Sequence, residues 1–443
     1  MKIAIAGTGY VGLVTAVCLA HHGHEVTCVD VDENKIKLMQ SGKSPIYELD
    51  LEEMMQQNAE RLTYTVDYQS AYKDAEVIFI GVGTPEKKDG SANLSYVYSV
   101  AKQIAHSVER DCVVVVKSTV PIGTNDKIEA LLQKERIHNV QIEVGSNPEF
   151  LAQGTAVRDT LHASRIVLGV ESKHAENVLR QVYAGFEAPI LVTNRRSAEM
   201  IKYASNDFLA LKISYVNEIA NLCEIVGADI QDVTQGMGLD PRIGNRFLNA
   251  GIGYGGSCFP KDTKALHWLA NFHDYEIKTI KAAIEVNEQQ KLKLFKRSRK
   301  YYESLNGLTV AVLGLTFKPG TDDLREAPSL VNVPLMLDDG AIIHAWDPVG
   351  TENFQKVMEK YSEYDLNNIV YYDTPQATIK DADICFIFTE WPEVKAMQPE
   401  DFLQMGKPIV LDGRNCFSVE RMQTNGVEYV SIGRAIGENI QKA

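Results

Sequence analysis

The run Lys2-Ile3-Ala4-Ile5-Ala6-Gly7-Thr8-Gly9-Tyr10-Val11-Gly12 decides the fold of this 443-residue chain. A short β-prone segment leads straight into a G-x-G-x-x-G turn. Apolar residues at Val14, Val17, Cys18 and Leu19 continue as a helical pattern until His21-His22-Gly23 stops it. A second strand over residues 25–29 ends on Asp30, 18 residues after Gly12. In such a unit Gly7 makes the tight turn, Gly9 lets backbone approach a pyrophosphate, and Gly12 permits close helix–strand packing. An acid at position 30 accepts from both ribose hydroxyls and repels a 2′-phosphate, so the expected dinucleotide is NAD.

Further strands carry the pattern outward. Residues 76–80 lead into Gly81-Val82-Gly83-Thr84-Pro85, and residues 111–117, with four valines in a row, lead into Ser118-Thr119-Val120-Pro121. Residues 142–144 lead into Ser146-Asn147-Pro148-Glu149-Phe150, and residues 165–170 and 190–192 read as two strands that close the domain. Ligands of open α/β sheets bind outside the carboxyl ends of the strands, which directs Thr84, Thr119 and Glu149 toward one crevice. Each of these residues alone would also serve as an ordinary loop cap.

Residues 198–226 form a long helical pattern with no Pro or Gly until Gly227. Lys202 and Asn206 are one turn apart on it, and Asn217 lies roughly on the same face. Their neighbours are mostly apolar, which predicts a helix sandwiched between domains and between subunits of a homodimer. Residues 277–304 read as a second, more polar helix that acts as a connector. Residues 308–314 then repeat the strand-then-glycine opening, and residues 341–346, 384–388 and 409–411 supply further buried strands. The loops 316–326 and 412–415, with Phe317, Lys318 and Arg414, suit a nucleotide without the G-x-G-x-x-G turn. The expected fold is therefore α/β, with two Rossmann-like doubly wound domains joined by a long central helix. The boundaries expected are 1–197, 198–304 and 305–443.

Between the helices lies Gly251-Ile252-Gly253-Tyr254-Gly255-Gly256-Ser257-Cys258-Phe259-Pro260-Lys261-Asp262. Four glycines let backbone approach a ligand such as a sugar closely. A thiol at the start of the helix read over residues 264–271, beside an ammonium, favours the nucleophilic thiolate. Read locally, Cys258 serves equally well as a buried structural cysteine.

A net charge of −14 argues against general nucleic-acid binding. Seven cysteines without a C-x-x-C pair exclude the usual zinc spacings and do not resemble a secreted disulfide framework; no metal is expected. The apolar run at residues 1–7 is too short for a signal peptide, and no stretch reaches membrane-spanning length. A soluble, cytoplasmic protein is expected, with no membrane or nucleic-acid partner.

GTGYVG, GVGTP, STVP, NPEFL, KYASNDFLALKIS, FLNAGIGYGGSCFPKD, FKPGTDDLRE and DGR stand in this order along essentially the whole chain. With them the sequence resembles the UDP-glucose/GDP-mannose dehydrogenase family, and within it the UDP-glucose 6-dehydrogenase branch. The resemblance implies two successive NAD-dependent oxidations of a sugar primary alcohol to the carboxylate. It makes Cys258 the nucleophile of a thiohemiacetal and then of a thioester, with Lys202 and Asn206 stabilising the oxyanion. Glu149 would be the base for thioester hydrolysis, Thr119 would hold the water, and Asp262 would assist proton movement.

For NAD the resemblance implies Gly7, Gly9, Tyr10, Val11, Gly12, Asp30, Lys35, Thr84, Thr119, Glu149, Lys261 and Arg325. For UDP-glucose it implies Glu149, Phe150, Leu151, Ala152, Gln153, Lys202 and Asn206. It adds Phe247, Leu248, Asn249, Ala250, Gly251, Gly255, Phe317 and Lys318, with Arg242 reaching a neighbouring subunit's ligand and Arg414 near the sugar carboxylate. Two departures stand out. The family's usual NPEFL-x-E-G has Gln153 at the second acid, which can position a water but cannot take its proton, so the base falls to Glu149. The usual H-P-D-R reads His162-Ala163-Ser164-Arg165. Another nucleotide sugar, GDP-mannose or UDP-N-acetylmannosamine, is an alternative substrate, though FLNAGIGYGG favours UDP-glucose. A single-oxidation dehydrogenase with a structural Cys258 is the other alternative.

Overall fold

Segments rich in apolar and β-branched residues, buried except in the two edge strands β3 and β8, become the strands of the first half: β1 (Lys2–Ala6), β2 (Glu25–Val29), β3 (Leu62–Thr65), β4 (Val77–Ile80), β5 (Cys112–Val116), β6 (Ile142–Ser146), β7 (Ile166–Gly169) and β8 (Ile190–Thr193). They form one sheet in the order β3-β2-β1-β4-β5-β6-β7-β8, parallel except where β7 meets β6. The computed structural model describes residues 1–361 and 364–434. By internal packing it divides into two units, Met1–Ser205 with Lys264–Asp274, and Asn206–Thr263 with the described residues from Tyr275 on.

The first sheet is covered on both faces, as a parallel sheet must be. Ile3, Ile5, Phe79, Val113 and Val115 face a cluster with Leu13 and Val17 of the first helix (Tyr10–His21). Their alternates Ala4, Ile78, Ile80, Val114 and Val116 face Val97, Ile104 and Ile128. Every residue of β4 and β5 is buried, which is why these strands read as continuous apolar runs.

The second unit repeats the plan with β9 (Thr309–Leu313), β10 (Ile342–Trp346), β11 (Ile369–Tyr371), β12 (Ile384–Ile387), β13 (Ile409–Asp412) and β14 (Glu428–Ser431). The order is β11-β10-β9-β12-β13-β14 and every pairing is parallel. Both sheets thus start from the doubly wound order in which the first strand lies beside the second and the fourth.

The central helix runs Arg195–Val226 and the helix after the glycine-rich stretch runs Phe259–Phe272. Both start earlier than their apolar patterns did. The connector expected over residues 277–304 is two helices, Lys278–Lys291 and Lys293–Ser298. At the break Asn332 Nδ2 donates to the Lys291 carbonyl at 2.9 Å, so a tertiary contact takes up that carbonyl. The short strands β3, β11 and β14 had no counterpart in the sequence reading; all three lie at sheet edges.

The G-x-G-x-x-G turn closes as its glycines require. Gly7 has φ +93°, and a β-carbon on Gly12 would stand 1.9 Å from the Gly7 carbonyl oxygen. Gly12→Ala must therefore push the helix off β1. We expect it to cost about 1–3 kcal/mol in urea unfolding and to abolish NAD binding in calorimetry, while Gly83→Ala, with open space around it, changes stability little.

Candidate functional site

The first unit presents its turn to a ligand in a definite way. No protein atom lies within 4 Å of where a β-carbon on Gly9 would be, so the space in front of the turn is open for a phosphate. Gly9 is also the N-cap of the first helix and, having no side chain, makes no capping bond to it. At the end of β2, Asp30 accepts from Thr8 N at 2.9 Å and Thr8 Oγ1 at 2.5 Å through one oxygen, and from Asp32 N at 3.1 Å through the other. Burial alone would raise its pKa, but those donors, with Lys35 nearby, hold it below the usual aspartate value. An ionised acceptor beside an open glycine turn fits a dinucleotide's ribose and pyrophosphate. Tyr10 opens the helix with its hydroxyl on the Tyr47 carbonyl at 2.9 Å, and Val11 is half-buried beside it.

The loops at the carboxyl ends of β4, β5 and β6 converge as the sheet order demands. Thr84 Oγ1 donates to the Thr119 carbonyl at 2.9 Å. Glu149 Oε1 meets Lys202 Nζ at 2.8 Å, both side chains being buried, and Oε2 accepts from Leu151 N at 2.8 Å. The Phe150 ring carries Arg165 at 3.9 Å and Lys202 at 5.5 Å. Gln153 is buried and Ala152 exposed.

Behind Glu149 stands Lys117, which no motif had marked. It donates to Asn147 Oδ1 at 2.8 Å, and Tyr183 Oη reaches the same oxygen at 2.5 Å. Burial pushes the Lys117 ammonium down to about 8, with Glu149 pulling it back up and Lys202 opposing. A charge at the end of a buried strand with four valines in a row was the one sequence sign of it.

The second unit holds the thiol. Cys258 is the exposed cysteine of the chain; five others are buried and Cys416 is intermediate. Its carbonyl accepts the first helical bond, from Asp262 N at 2.8 Å, so it occupies the N-cap of Phe259–Phe272 with Asp262 one turn on. Asp262 is buried and accepts from Asn206 Nδ2 at 2.7 Å and Lys261 Nζ at 2.5 Å.

The glycines before Cys258 face protein. A β-carbon would stand 2.9 Å from the Gly413 carbonyl at Gly251, 2.5 Å from the Glu326 carbonyl at Gly255, and 2.7 Å from the Phe317 ring at Gly256. Backbone bonds from Ile252 N to Gly413 O (2.8 Å) and from Gly256 N to Arg325 O (2.7 Å) seal the contact. The close approach read from the sequence is thus made to the loops after β9 and β13. Asn217, on the central helix, accepts from Gly251 N at 2.8 Å.

Leu248 and Ala250 are buried and Asn249 is exposed. Phe247 is exposed with φ +63°, a left-handed conformation that a bulky residue adopts only under constraint. Arg242 is 88% exposed and folds onto Asp240 of its own turn at 2.6 Å. Lys318 lies 5.6 Å from the Phe317 ring. Arg414 donates to the carbonyls of Phe388, Gly253 and Phe317 at 2.8, 3.1 and 3.1 Å, tying these loops together. Arg325 forms a two-pronged pair with Asp323 at 2.8 and 2.6 Å. Among the described residues no cluster of metal-ligating side chains occurs, and no helix is long and apolar enough to cross a membrane.

An open dinucleotide turn in one doubly wound unit, and an exposed thiol at a helix start beside a bonded carboxylate in the other, are features of an NAD-dependent dehydrogenase. Comparison with known proteins makes this specific. The NAD binding domain of the UDP-glucose/GDP-mannose dehydrogenase family matches residues 1–187, its central domain residues 196–289 and its UDP binding domain residues 311–419. The chain is 46% identical over 437 residues to UDP-glucose 6-dehydrogenase YwqF of Bacillus subtilis, covering 98% of each. It is 45% identical to UDP-glucose 6-dehydrogenase TuaD of the same organism, over 98% of this chain and 93% of that one. Among solved structures, a UDP-glucose dehydrogenase from the hyperthermophilic archaeon Pyrobaculum islandicum superposes with a TM-score of 0.89 at 36% identity, over 97% of this chain and 96% of that one. The chain belongs to the UDP-glucose/GDP-mannose dehydrogenase family. It is an oxidoreductase whose cofactor is NAD and whose substrate is a nucleotide sugar.

The buried Lys202–Glu149 pair makes a stability prediction. Removing one partner strands a buried charge, so Lys202→Met should lose about 3–5 kcal/mol in urea unfolding. The double variant Lys202→Met/Glu149→Gln should recover most of that loss.

Proposed function

We propose that the protein oxidises UDP-glucose twice at C6, giving UDP-glucuronate through a thioester on Cys258. The observation that carries this reading is the exposed Cys258 thiol at a helix N-cap, one turn from a buried Asp262 held by Asn206 and Lys261. NAD, when bound, accepts the hydride lost in each oxidation. The residues proposed to hold it are the Gly7–Gly12 turn, Asp30, Lys35, Thr84, Thr119, Lys261 and Arg325. Asp262 assists departure of the C6 hydroxyl proton in the first oxidation.

The Cys258 sulfur then adds to the C6 aldehyde, and the carbonyl oxygen becomes an oxyanion stabilised by the Lys202 ammonium and the Asn206 amide. A free aldehyde has no C–O⁻ to expel a hydride, whereas this adduct does; its loss leaves the thioester. Glu149 takes a proton from the water that Thr119 holds, the water attacks C6, the C–S bond breaks and the thiolate leaves. Gln153 can orient that water but not deprotonate it.

The segment boundaries proposed are 1–197 for NAD, 198–304 for pairing and the thiol loop, and 305–443 for UDP. Loops at Phe247–Gly251, Gly255, Phe317 and Lys318 hold the nucleotide sugar. We also propose a homodimer acting in the cytoplasm. Phe208, Tyr215 and Leu222 recur every seven residues on the central helix and are 61%, 50% and 52% exposed, an apolar stripe suited to a second copy. Arg242 would then reach the neighbour's ligand.

NADH yield with limiting UDP-glucose tests the reaction: the expected result is two per sugar, and one would sink the thioester route. Cys258→Ser should keep NAD and UDP-glucose binding by calorimetry yet release no UDP-glucuronate, because a hydroxyl is a far weaker nucleophile at neutral pH. Sedimentation should give a dimer that Phe208→Glu/Leu222→Glu converts to monomer.

A further inference from the structure

Asp207 follows Asn206 on the central helix. It is 1% exposed, and neither carboxylate oxygen meets a hydrogen-bond donor. The other buried acids among the described residues are all provided for. Asp347, Asp412 and Glu199 accept from backbone and side chains, Glu48 from two backbone amides, Asp323 from Arg325, and Glu149 and Asp262 as described above. A buried carboxylate without donors is a charge with no compensation, and such a group keeps its proton instead.

The groups that act on Asp207 come from two other elements. The helix Phe259–Phe272 contributes Asp262, whose like charge disfavours ionisation, and Lys261, whose ammonium partly offsets it. The glycine-rich loop contributes Tyr254, a buried phenol pushed up to about 12 by burial and so neutral. Burial first, and the Asp262 charge second, push the Asp207 carboxyl up to about 8.

We propose that Asp207 is a positioning residue for Asp262: a buried carboxyl that carries a proton while Asp262 carries the charge, and so fixes how strong a base Asp262 is. The proposal rests on the reading that Asp262 assists proton movement in the oxidation. While Asp207 is neutral, Asp262 alone takes the bonds from Asn206 and Lys261. When Asp207 loses its proton, a second negative charge stands beside Asp262 and raises its proton affinity. With both carboxylates charged the pair holds no proton, so Asp262 draws the proton of the substrate hydroxyl more strongly than it does while Asp207 is neutral.

Two measurements on the full-length protein test this. The first is thermal unfolding of wild type and Asp207→Asn from pH 4 to 9. Unfolded, Asp207 ionises near 3.8; folded, it does so near 8. The folded state therefore binds the extra proton across that window, and its stability relative to the unfolded chain falls as pH rises. Asparagine has no such proton, so the variant's melting temperature should gain on wild type progressively through this range and then level off. The second is the pH profile of kcat, where a wild-type transition near pH 8 should be lost in both Asp207→Asn and Asp207→Ala, with KM for the nucleotide sugar little changed.

A gap in melting temperature that stays constant with pH overturns the protonated carboxyl, and with it the proposal. A gap that opens while the kcat profiles superimpose overturns the coupling to Asp262. Neither result touches the NADH yield per sugar, so failure of the thioester route is read separately.

Discussion

The fold hangs on the contact between Gly12 and the Gly7 carbonyl, where there is room for a hydrogen and for nothing larger. It clamps the first helix onto β1 and aims the helix N-terminus over the strand ends. The same device recurs in the second unit. Gly314 follows β9 as Gly7 follows β1, has φ +88°, and would place a β-carbon 2.3 Å from Thr389 after β12. Gly7 N donates to the last residue of β2 and Gly314 N to the last residue of β10, each at 2.8 Å. The echo extends to the acids, since Asp30 and Asp347 each close the second strand of their sheet and accept from the residues after that glycine. They differ in what else reaches them. Asp347 is buried under the Trp391 indole, which donates to it at 2.9 Å, so no ribose can take its second position. One unit keeps the acid open for a dinucleotide and the other plugs it, which agrees with a family that binds NAD at one end and UDP at the other.

Charge is handled differently in the two units. In the first unit a carboxylate and an ammonium are buried together, Glu149 with Lys202, and a second lysine behind them gives up proton affinity to be there. In the second unit carboxyls crowd on one side, Asp262 supplied with donors and Asp207 without. Each arrangement keeps a titratable group away from its ordinary pKa, the condition under which proton transfer at neutral pH becomes workable.

Much of this was legible in the chain. The glycine turn, the acid at position 30 and the valine run fix a parallel sheet because their local chemistry admits little else. The loops ending in Thr84, Thr119 and Glu149 converge because strand order forces them to. What escaped reading depends on contacts distant in sequence. The edge strands β3 and β11 are short and half-open, so their pattern is weak, and β14, though mostly buried, has only four residues. The break after Lys291 is tied to the side chain of Asn332. Asp207 looks like an ordinary charge in sequence, and only tertiary burial singles it out; Lys117 shows itself in sequence only by ending a buried strand. The glycines before Cys258 read as a bed for ligand, whereas in the fold they seat one stretch of backbone on another.

The helix that begins at Cys258 changes allegiance partway along: it belongs to the second unit through Thr263 and to the first from Lys264 to Asp274. The first unit is therefore discontinuous in the chain. During synthesis its eight strands have all emerged once Thr193 has passed, yet its final packing segment is still some eighty residues from being made. At roughly 5–20 residues per second, that is a wait of several seconds to a quarter of a minute. Until then the face that receives residues 264–274 stays uncovered, and the nascent chain depends on whatever shields it in the interval.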